Sequence, residues 1–456
     1  MGSDLVEGRG VENSEGSRRM RVGVIGTGHV GLVTCATLAS LGHDVVGTDS
    51  DQEKIRLLQA NVVPFHEPQL PELVSEGMSS GRLRFTPDPA ESVTAAEVVF
   101  ICVGTPPRAT GEANLEAVER AVQEVARHAR RRTVLAEKST VPAGTAQRVR
   151  RTLLRERGDA MHGLEVASNP EFLREGRAVE DSLRPDRILV GAEAPWVFEV
   201  MRGLYEPLIR NGSRIIQTDI NTAELAKHAC NAFLALKISY SNALARICER
   251  AGADVVAIAD IMGADPRIGR AFLDAGLGYG GSCFPKDLQA FDKLAAQLGY
   301  DFALLREIAR INDEALEATL EKVRDALWNL AGKRIALLGL SFKPGTDDVR
   351  FAPAVALARR LIDGGAFVVG YDPQAMSNAK EEVAGLEVAA DPYEAASGAH
   401  CLIVCTDWPE LRDLDLKRLS EAMAYPLVVD GRNIFRPDEL EAAGFSYYPT
   451  GRQAFS

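Results

Sequence analysis

The stretch that most constrains the fold is a short apolar segment, Arg21-Val-Gly-Val-Ile25, running into Gly26-Thr27-Gly28-His29-Val30-Gly31 and then a helical pattern from Leu32 to Leu41. It reads as strand, turn, helix. In such a turn the glycines allow a tight bend, close approach of backbone to a pyrophosphate and tight helix packing, while the helix N-terminus faces the phosphates. The next strand, His43 to Asp49, ends in an acid about 20 residues beyond the glycines, where a carboxylate can accept hydrogen bonds from both ribose hydroxyls. Together these features predict a dinucleotide site. Asp49 would repel a 2′-phosphate, which favours NAD over NADP, and Lys54 nearby tempers that preference.

The same texture returns late in the chain. Lys333 to Gly339 repeats the first strand and glycine turn, Ala366 to Asp372 the strand ending in aspartate, and His400 to Thr406 the third strand, which in the first half runs from Glu97 to Val103. The expected fold is therefore α/β, with two Rossmann-like doubly wound domains joined by a long central helix and a helical middle domain. Length alone suggests roughly three units. Residues 1–19 read as a disordered or expression-derived tail, 20–218 as the dinucleotide-binding domain, 219–331 as the central helical and dimerisation domain, and 332–456 as the second Rossmann-like domain.

Candidate ligand residues gather at strand ends, where open α/β sheets bind. The third strand opens into Gly104-Thr105-Pro-Pro107, the next breaks after Thr140 at Val141-Pro-Ala-Gly-Thr145, and Val166 to Gly176 carries Glu171. A single threonine or glutamate there is usually a turn or cap residue; recurrence at successive strand ends argues for one shared crevice. In the second half Gly339-Leu-Ser-Phe-Lys343 lacks the dinucleotide spacing, so a second dinucleotide is not expected. Lys343, Arg350 and Arg432 in its loops instead suggest a ligand carrying a diphosphate.

Between the halves, the segment from Asn221 to about Gly252 has no proline or glycine and a broad apolar surface from Leu225, Phe233, Leu236, Ala243 and Leu244. Asn221 with Glu224 resembles a helix-capping pair. Lys227 and Asn231 share a face and could hold a developing oxyanion, unless they are simply a solvated stripe. Farther on, Gly276-Leu-Gly278-Tyr279-Gly280-Gly281-Ser-Cys283-Phe-Pro-Lys286-Asp287 offers a thiol on a glycine-rich turn. Pro285 suits the first position of a helix, which would place Cys283 at a helix N-terminus where dipole and Lys286 favour a thiolate. The bland alternative is a packed core cysteine.

Composition narrows the function class. A net charge of −12 argues against non-specific binding to nucleic acid or anionic membrane. Seven cysteines, an odd number, suggest no disulfide framework, and Cys401 with Cys405 inside an apolar run read as core. No metal-ligand spacing is present, and no apolar run approaches the roughly 18 residues of a membrane span. The expected setting is the reducing cytoplasm and the expected class a small-molecule enzyme.

Taken together, the motifs resemble the UDP-glucose/GDP-mannose dehydrogenase family, and within it the UDP-glucose 6-dehydrogenases. The resemblance covers about Met20 to Arg436 and rests on Gly26 to Gly31, Val103-Gly-Thr-Pro106, Lys138-Ser-Thr-Val-Pro142, Ser168-Asn-Pro-Glu-Phe-Leu-Arg-Glu-Gly176, Pro185 to Gly191, Lys227 to Asn231, Arg267-Ile-Gly269, Gly278 to Asp287 and Phe342-Lys-Pro-Gly-Thr-Asp-Asp348. It implies NAD as cofactor and UDP-glucose as substrate. It implies Cys283 as nucleophile, assisted by Asp287, Lys227, Asn231, Thr140 and Glu171. Phe172, Leu173, Tyr279, Gly280, Lys343 and Arg432 would hold the sugar nucleotide, Arg350 would contact the cofactor with Thr105, and Arg267 would reach a partner subunit's site, making the chain at least a dimer. Two positions depart from the family: Val62 stands where glycine is common, and Phe351 where an acid is common. The resemblance also gives the thiol a task, since a thiohemiacetal restores to an aldehyde carbon the hydrogen and oxygen that a second hydride transfer needs. Competing readings are a hydroxy-acid dehydrogenase making one hydride transfer, a related enzyme acting on GDP-mannose or a UDP-N-acetylhexosamine, and a non-catalytic nucleotide-sugar sensor.

Overall fold

A computed structural model describes residues 18–158 and 163–455. Most of the tail expected over 1–19 thus lies outside the described residues. Strands β1 (Arg21–Ile25), β2 (Asp44–Thr48), β3 (Leu83–Thr86), β4 (Val98–Ile101), β5 (Thr133–Glu137), β6 (Leu164–Ser168), β7 (Arg187–Ala192) and β8 (Arg214–Thr218) form one sheet in the order β3-β2-β1-β4-β5-β6-β7-β8. All neighbours are parallel except β6 and β7. A second, parallel sheet contains β9 (Arg334–Leu338), β10 (Phe367–Tyr371), β11 (Glu387–Val388), β12 (Cys401–Val404), β13 (Leu427–Asp430) and β14 (Ser446–Pro449) in the order β11-β10-β9-β12-β13-β14. In each sheet the chain direction of strand order reverses beside its first strand, the position at which doubly wound sheets open a crevice.

The central strands β4, β5, β9, β12 and β13 are buried along nearly their whole length because helices cover both faces. Alternation then sorts the side chains: Val98 and Phe100 enter one core, Val99 and Ile101 the other. In the second sheet Ile335, Leu337, Cys401, Ile403 and Cys405 share one face, and Ala336, Leu338, Leu402 and Val404 the opposite one. Cys401 and Cys405 are therefore core residues, as their spacing suggested.

The helical middle is built on a 32-residue helix, Ile220–Ala251, about 48 Å long at 1.5 Å per residue. Its cap is Asp219, whose side chain accepts from the Thr222 amide, and not Asn221. Glu224 is correspondingly not a local cap. Its carboxylate reaches across the chain to accept from the amides of Gly144 and Ala146, at 2.6 and 2.8 Å, capping the helix Thr145–Arg157. The apolar surface of the long helix also divides: Leu236 and Leu244 pack within the chain, whereas Leu225 and Phe233 stay exposed.

The recurrent strand-end aspartate serves different ends in the two sheets. Asp372, fully buried, accepts hydrogen bonds from the amides of Leu340, Ser341, Gln374 and Ala375, the Ser341 hydroxyl and the Trp408 indole. It cross-braces the turn after β9 with the end of β10, and has no capacity left for a ligand. Removing it as Asp372→Ala would leave these buried donors without an acceptor and should cost at least about 3 kcal/mol of unfolding free energy. Chemical denaturation monitored by tryptophan fluorescence checks this.

Candidate active site

The thiol lies where three parts of the chain converge. Cys283 is the first residue of the helix Cys283–Gln297, so Pro285 sits two residues later than expected, in the first turn. The glycines before it leave room for backbone and side chains of other segments. A Cβ on Gly280 would lie 2.4 Å from the Phe351 carbonyl oxygen, one on Gly281 2.8 Å from the Phe342 ring, and one on Gly278 2.8 Å from the Asn312 side-chain oxygen. The loop from Phe342 to Phe351, which follows the first strand of the second sheet, thus closes over the glycines before Cys283, and the Gly281 amide donates to the Arg350 carbonyl at 3.0 Å. Phe351, the departure noted above, adopts a left-handed backbone with φ 52°.

Four side chains on one face of the long helix define the interior wall: Glu224, Lys227, His228 and Asn231 are all buried. The solvated-stripe alternative for Lys227 and Asn231 therefore fails. The Lys227 ammonium pairs with Glu171 at 2.9 Å, and Asn231 donates to Asp287 at 2.6 Å. Glu171 also accepts from the Leu173 amide at 2.7 Å. The Phe172 ring centroid lies 3.9 Å from the Arg187 guanidinium and 5.3 Å from the Lys227 ammonium. His228 donates its Nε2 proton to the Val141 carbonyl, 3.0 Å away, so Glu224 and His228 both fix the loop after β5 that bears Thr140. Thr105 joins in: its hydroxyl donates to the Thr140 carbonyl at 2.9 Å and accepts from Lys286 at 3.2 Å. Lys286 also stands 3.3 Å from Asp287 Oδ1, yet that oxygen has no hydrogen-bonding partner, so proximity there is charge contact alone.

These surroundings correct one expectation. Burial pushes the Cys283 thiol up to about 11, with Glu171, Asp287 and Glu175 acting in the same direction and Lys227 opposing them. The free protein therefore holds a thiol and not a thiolate, because desolvation beside carboxylates outweighs the helix N-terminus. Burial likewise acts to depress Lys227, but Glu171, Cys283 and Asp287 outweigh it and hold the ammonium above its ordinary value.

The cofactor turn matches its expected geometry. Gly26 has φ 95°, and a Cβ on Gly31 would fall 1.8 Å from the Gly26 carbonyl oxygen, so both positions demand glycine. Gly28 instead faces open space at the N-terminus of the helix His29–Ser40, which no side chain caps and which has no acid in its first turn. Uncapped amides beside an open glycine form the cradle a pyrophosphate fills. Asp49 sits at the edge of this turn, accepting from the Thr27 amide at 2.8 Å and from Lys54 at 3.0 Å. Burial alone would raise it, but the amides of Asp51 and Thr27 and the Lys54 ammonium hold it below the usual carboxylate range. Lys54 is thereby committed to Asp49. The residues fit a dinucleotide without a 2′-phosphate.

Of the remaining candidates, Arg350 grips Asp348 through three side-chain hydrogen bonds and reaches within 3.8 Å of Glu175. It borders a cavity of about 590 Å³ between His29, Phe65 and the loop Thr346–Arg350. Lys343 is depressed by burial, with Glu175 and Glu67 opposing. Arg432 donates to the carbonyls of Cys405 and Gly278, at 2.8 and 3.4 Å, and so buttresses the glycine loop before Cys283. Arg267 stands apart. It pairs with neighbouring Asp265, its side chain is 88% exposed, and it joins none of these contacts. Among the described residues no cluster of His, Cys, Asp or Glu is arranged to hold a metal.

Sequence reasoning passed over several buried residues. Glu67 receives His29 at 2.8 Å and the amides of Gly176 and Ala178, tying the cofactor turn to the Glu171 loop. Glu175, in the same motif as Glu171, is pushed up to about 7 by burial, opposed by His29 and Arg350. Its motif position was the available signal; for Glu224, 80 residues from the loop it caps, no local pattern existed.

Three family models describe successive stretches of the chain: the UDP-glucose/GDP-mannose dehydrogenase NAD-binding domain over residues 20–209, the central domain over 221–314 and the UDP-binding domain over 336–437. The chain is 47% identical to a UDP-glucose 6-dehydrogenase of Rhizobium meliloti over 95% of its length and all of that protein. It is 42% identical to one of Bacillus subtilis, covering 95% of this chain and 98% of the other. Among solved structures, a UDP-glucose dehydrogenase from Pyrobaculum islandicum matches with TM-score 0.90 and 36% identity over 97% of this chain and all of that one.

The thiol's environment has a measurable signature. Alkylation of Cys283 by iodoacetamide in the free protein should be slow at pH 7 and climb about ten-fold per pH unit towards a midpoint near 11. Replacing Glu171 by Gln should lower that midpoint and replacing Lys227 by Met should raise it; peptide mass spectrometry of the labelled thiol reads both.

Proposed function

Because the chain belongs to the UDP-glucose/GDP-mannose dehydrogenase family, we propose that it oxidises UDP-glucose to UDP-glucuronate with two equivalents of NAD, through a covalent intermediate on Cys283. The observation that carries this reading is the placement of Cys283 against the Lys227–Glu171 and Asn231–Asp287 pairs. NAD supplies a hydride acceptor for each of two successive oxidations.

The reaction balances as primary alcohol plus two NAD and one water giving carboxylate, two NADH and three protons. In the first oxidation the alcohol carbon loses a hydride and its hydroxyl a proton, leaving an aldehyde. Sγ of Cys283 then bonds to the aldehyde carbon while the thiol proton passes to its oxygen. The resulting thiohemiacetal loses a second hydride and its hydroxyl proton to become a thioester. Water adds, the carbon–sulfur bond breaks, the sulfur regains a proton, and carboxylate and the third proton are released. A thiol that stays protonated until attack suits the second step, because the proton it gives up is needed on the oxygen. Lys227 uses one N–H on Glu171 and Asn231 one on Asp287, so each keeps donors for that oxygen as negative charge develops. Asp287, which has one oxygen without a hydrogen-bond partner, orients the water together with Thr140. Phe172, Leu173, Tyr279, Gly280, Lys343 and Arg432 hold the sugar nucleotide. His29, Val30, Thr105 and Arg350, with the glycines and Asp49, hold the cofactor. The boundaries 20–218, 219–331 and 332–456 then divide cofactor, catalytic-helical and sugar-nucleotide units.

UDP-glucose is preferred over other nucleotide sugars because relatives bearing that name extend to 47% identity. A solved UDP-D-ManNAc dehydrogenase of Pyrococcus horikoshii stands at 28% identity and TM-score 0.84. Arg267 completes the site of a partner copy, since it is exposed and remote within its own chain, and the exposed Phe233 and Ile247 supply an apolar face for that dimer. Among the described residues no helix is long and apolar enough to cross a membrane, and the reading places the enzyme in the cytoplasm.

Two measurements test this. Wild-type turnover should yield about two NADH per UDP-glucuronate, and Cys283→Ser should slow acid formation by orders of magnitude while leaving UDP-glucose binding nearly intact; near-normal acid production by the variant would return the thiol to a packing role. Arg267→Ala should abolish most activity without unfolding the subunit, and mixing it with Cys283→Ser should restore part of it, because a mixed dimer carries one site with both residues intact.

A further inference from the structure

The catalytic loop is gripped by side chains outside its own motif. On the helix Ala303–Leu327, the Asn312 Oδ1 accepts from the Tyr279 amide at 2.7 Å and its Nδ2 donates to the Tyr279 carbonyl at 3.2 Å. A side-chain amide used this way imitates a neighbouring β-strand, pairing with both polar groups of one residue. The fit is tight, as a Cβ on Gly278 would stand 2.8 Å from the same Oδ1. At the loop's start, Asn242 on the long helix accepts from the Gly276 amide at 2.8 Å. The next fixed point after Tyr279 is the Gly281 amide, and Cys283 follows two residues later.

We infer that Asn312 is a positioning residue for the reaction: its two-point clamp on Tyr279 sets the glycine loop so that Sγ of Cys283 meets the substrate carbon held against Lys227 and Asn231. The inference rests on the role of Cys283 proposed above. Glycines at 276, 278, 280 and 281 give the loop great conformational freedom, so its position must come from outside. The clamp supplies direction as well as attachment, because a donor and an acceptor on one planar group fix the orientation of the Tyr279 residue. The hydrogen bonds of Asn312 go to Tyr279 and not to the thiol, so it acts through the loop.

Asn312→Asp keeps the shape of the side chain but offers no donor to the Tyr279 carbonyl and sets a carboxylate oxygen against it. Asn312→Ala removes both contacts. Each variant should lower kcat by about 10- to 100-fold, the scale of an ångström's misplacement of a reacting atom. The fall in kcat should exceed any rise in the KM for UDP-glucose, which Tyr279 and Gly280 also help to hold, and the rate of Cys283 alkylation at fixed pH should change from that of wild type. Ser239→Ala serves as a control, because Ser239 donates to the Ile308 carbonyl and so ties the same two helices together without touching the loop. It should lower the melting temperature with kcat unchanged. Wild-type kcat in both Asn312 variants would overturn the inference. So would an activity loss that vanishes when rates are divided by the number of active sites titrated by the NADH burst. If Cys283→Ser also remained active, the nucleophile assignment would fall first; if Cys283→Ser is inactive and the Asn312 variants are not, the clamp alone is wrong.

Discussion

The site depends on an ion pair kept out of water. Lys227 and Glu171 meet at 2.9 Å with side chains only 5% and 7% exposed. Moving both charges into the interior is costly, and the pair persists because each member has further partners: Glu171 takes the Leu173 amide and Lys227 lies over Phe172. The pair joins the long helix to the loop after β6. Its neighbours on the same helical face do the same for other segments, with Glu224 and His228 holding the loop after β5 and Asn231 holding the Cys283 helix through Asp287. One long helix thus fixes elements that lie far apart in sequence. A helix suits this role because side chains three and four residues apart project together and its backbone bonds are satisfied internally.

The second sheet contributes by closing over what the first sheet and the helices assemble. Gly280 and Gly281 are packed under Phe351 and Phe342, while Gly176, at the end of the Glu171 motif, packs against Gly345 and Pro344. These contacts press one loop of the second half onto both the thiol loop and the Glu171 loop. The left-handed backbone at Phe351 is part of that closure, since its carbonyl faces Gly280. Desolvation follows from the same packing. It raises the Cys283 thiol and depresses Lys343, so the enclosure that excludes water also sets the protonation states from which chemistry starts.

Much of this was legible in the chain itself, for identifiable reasons. Both sheets were readable because buried parallel strands are continuous apolar runs punctuated by glycine turns. Lys227, Asn231 and Cys283 were readable because helical spacing and a glycine-rich turn are local patterns. What escaped was contact across sequence distance. Glu224 looked like half of a local cap beside Asn221, yet Asp219 caps that helix and Glu224 caps another one. The thiol's protonation was misjudged for the same reason: the helix N-terminus is visible in sequence, whereas the carboxylates of Glu171 and Glu175 that crowd the sulfur come from more than a hundred residues away. Asn312 carried no signal, because an asparagine on a polar helix is ordinary until its partner is known.

The two halves show how far a repeated pattern can be trusted. Both place an aspartate at the end of the second strand beside a glycine turn with positive φ, at Gly26 and Gly339. In the first half the turn continues to Gly28, which borders open space at an uncapped helix end, and Asp49 keeps part of its surface at that edge. In the second half the chain continues as Leu340-Ser341-Phe342-Lys343, the Ser341 hydroxyl and the Trp408 indole turn inward, and Asp372 is enclosed with every oxygen engaged. The repeat therefore specifies the strand–turn architecture in both places, because a carboxylate can organise the amides of the turn in either. What separates a ligand site from a brace is the residue two places beyond the first glycine. A second glycine there leaves the helix amides facing a vacancy that a pyrophosphate fills, whereas a side chain there turns the aspartate's capacity back onto the protein.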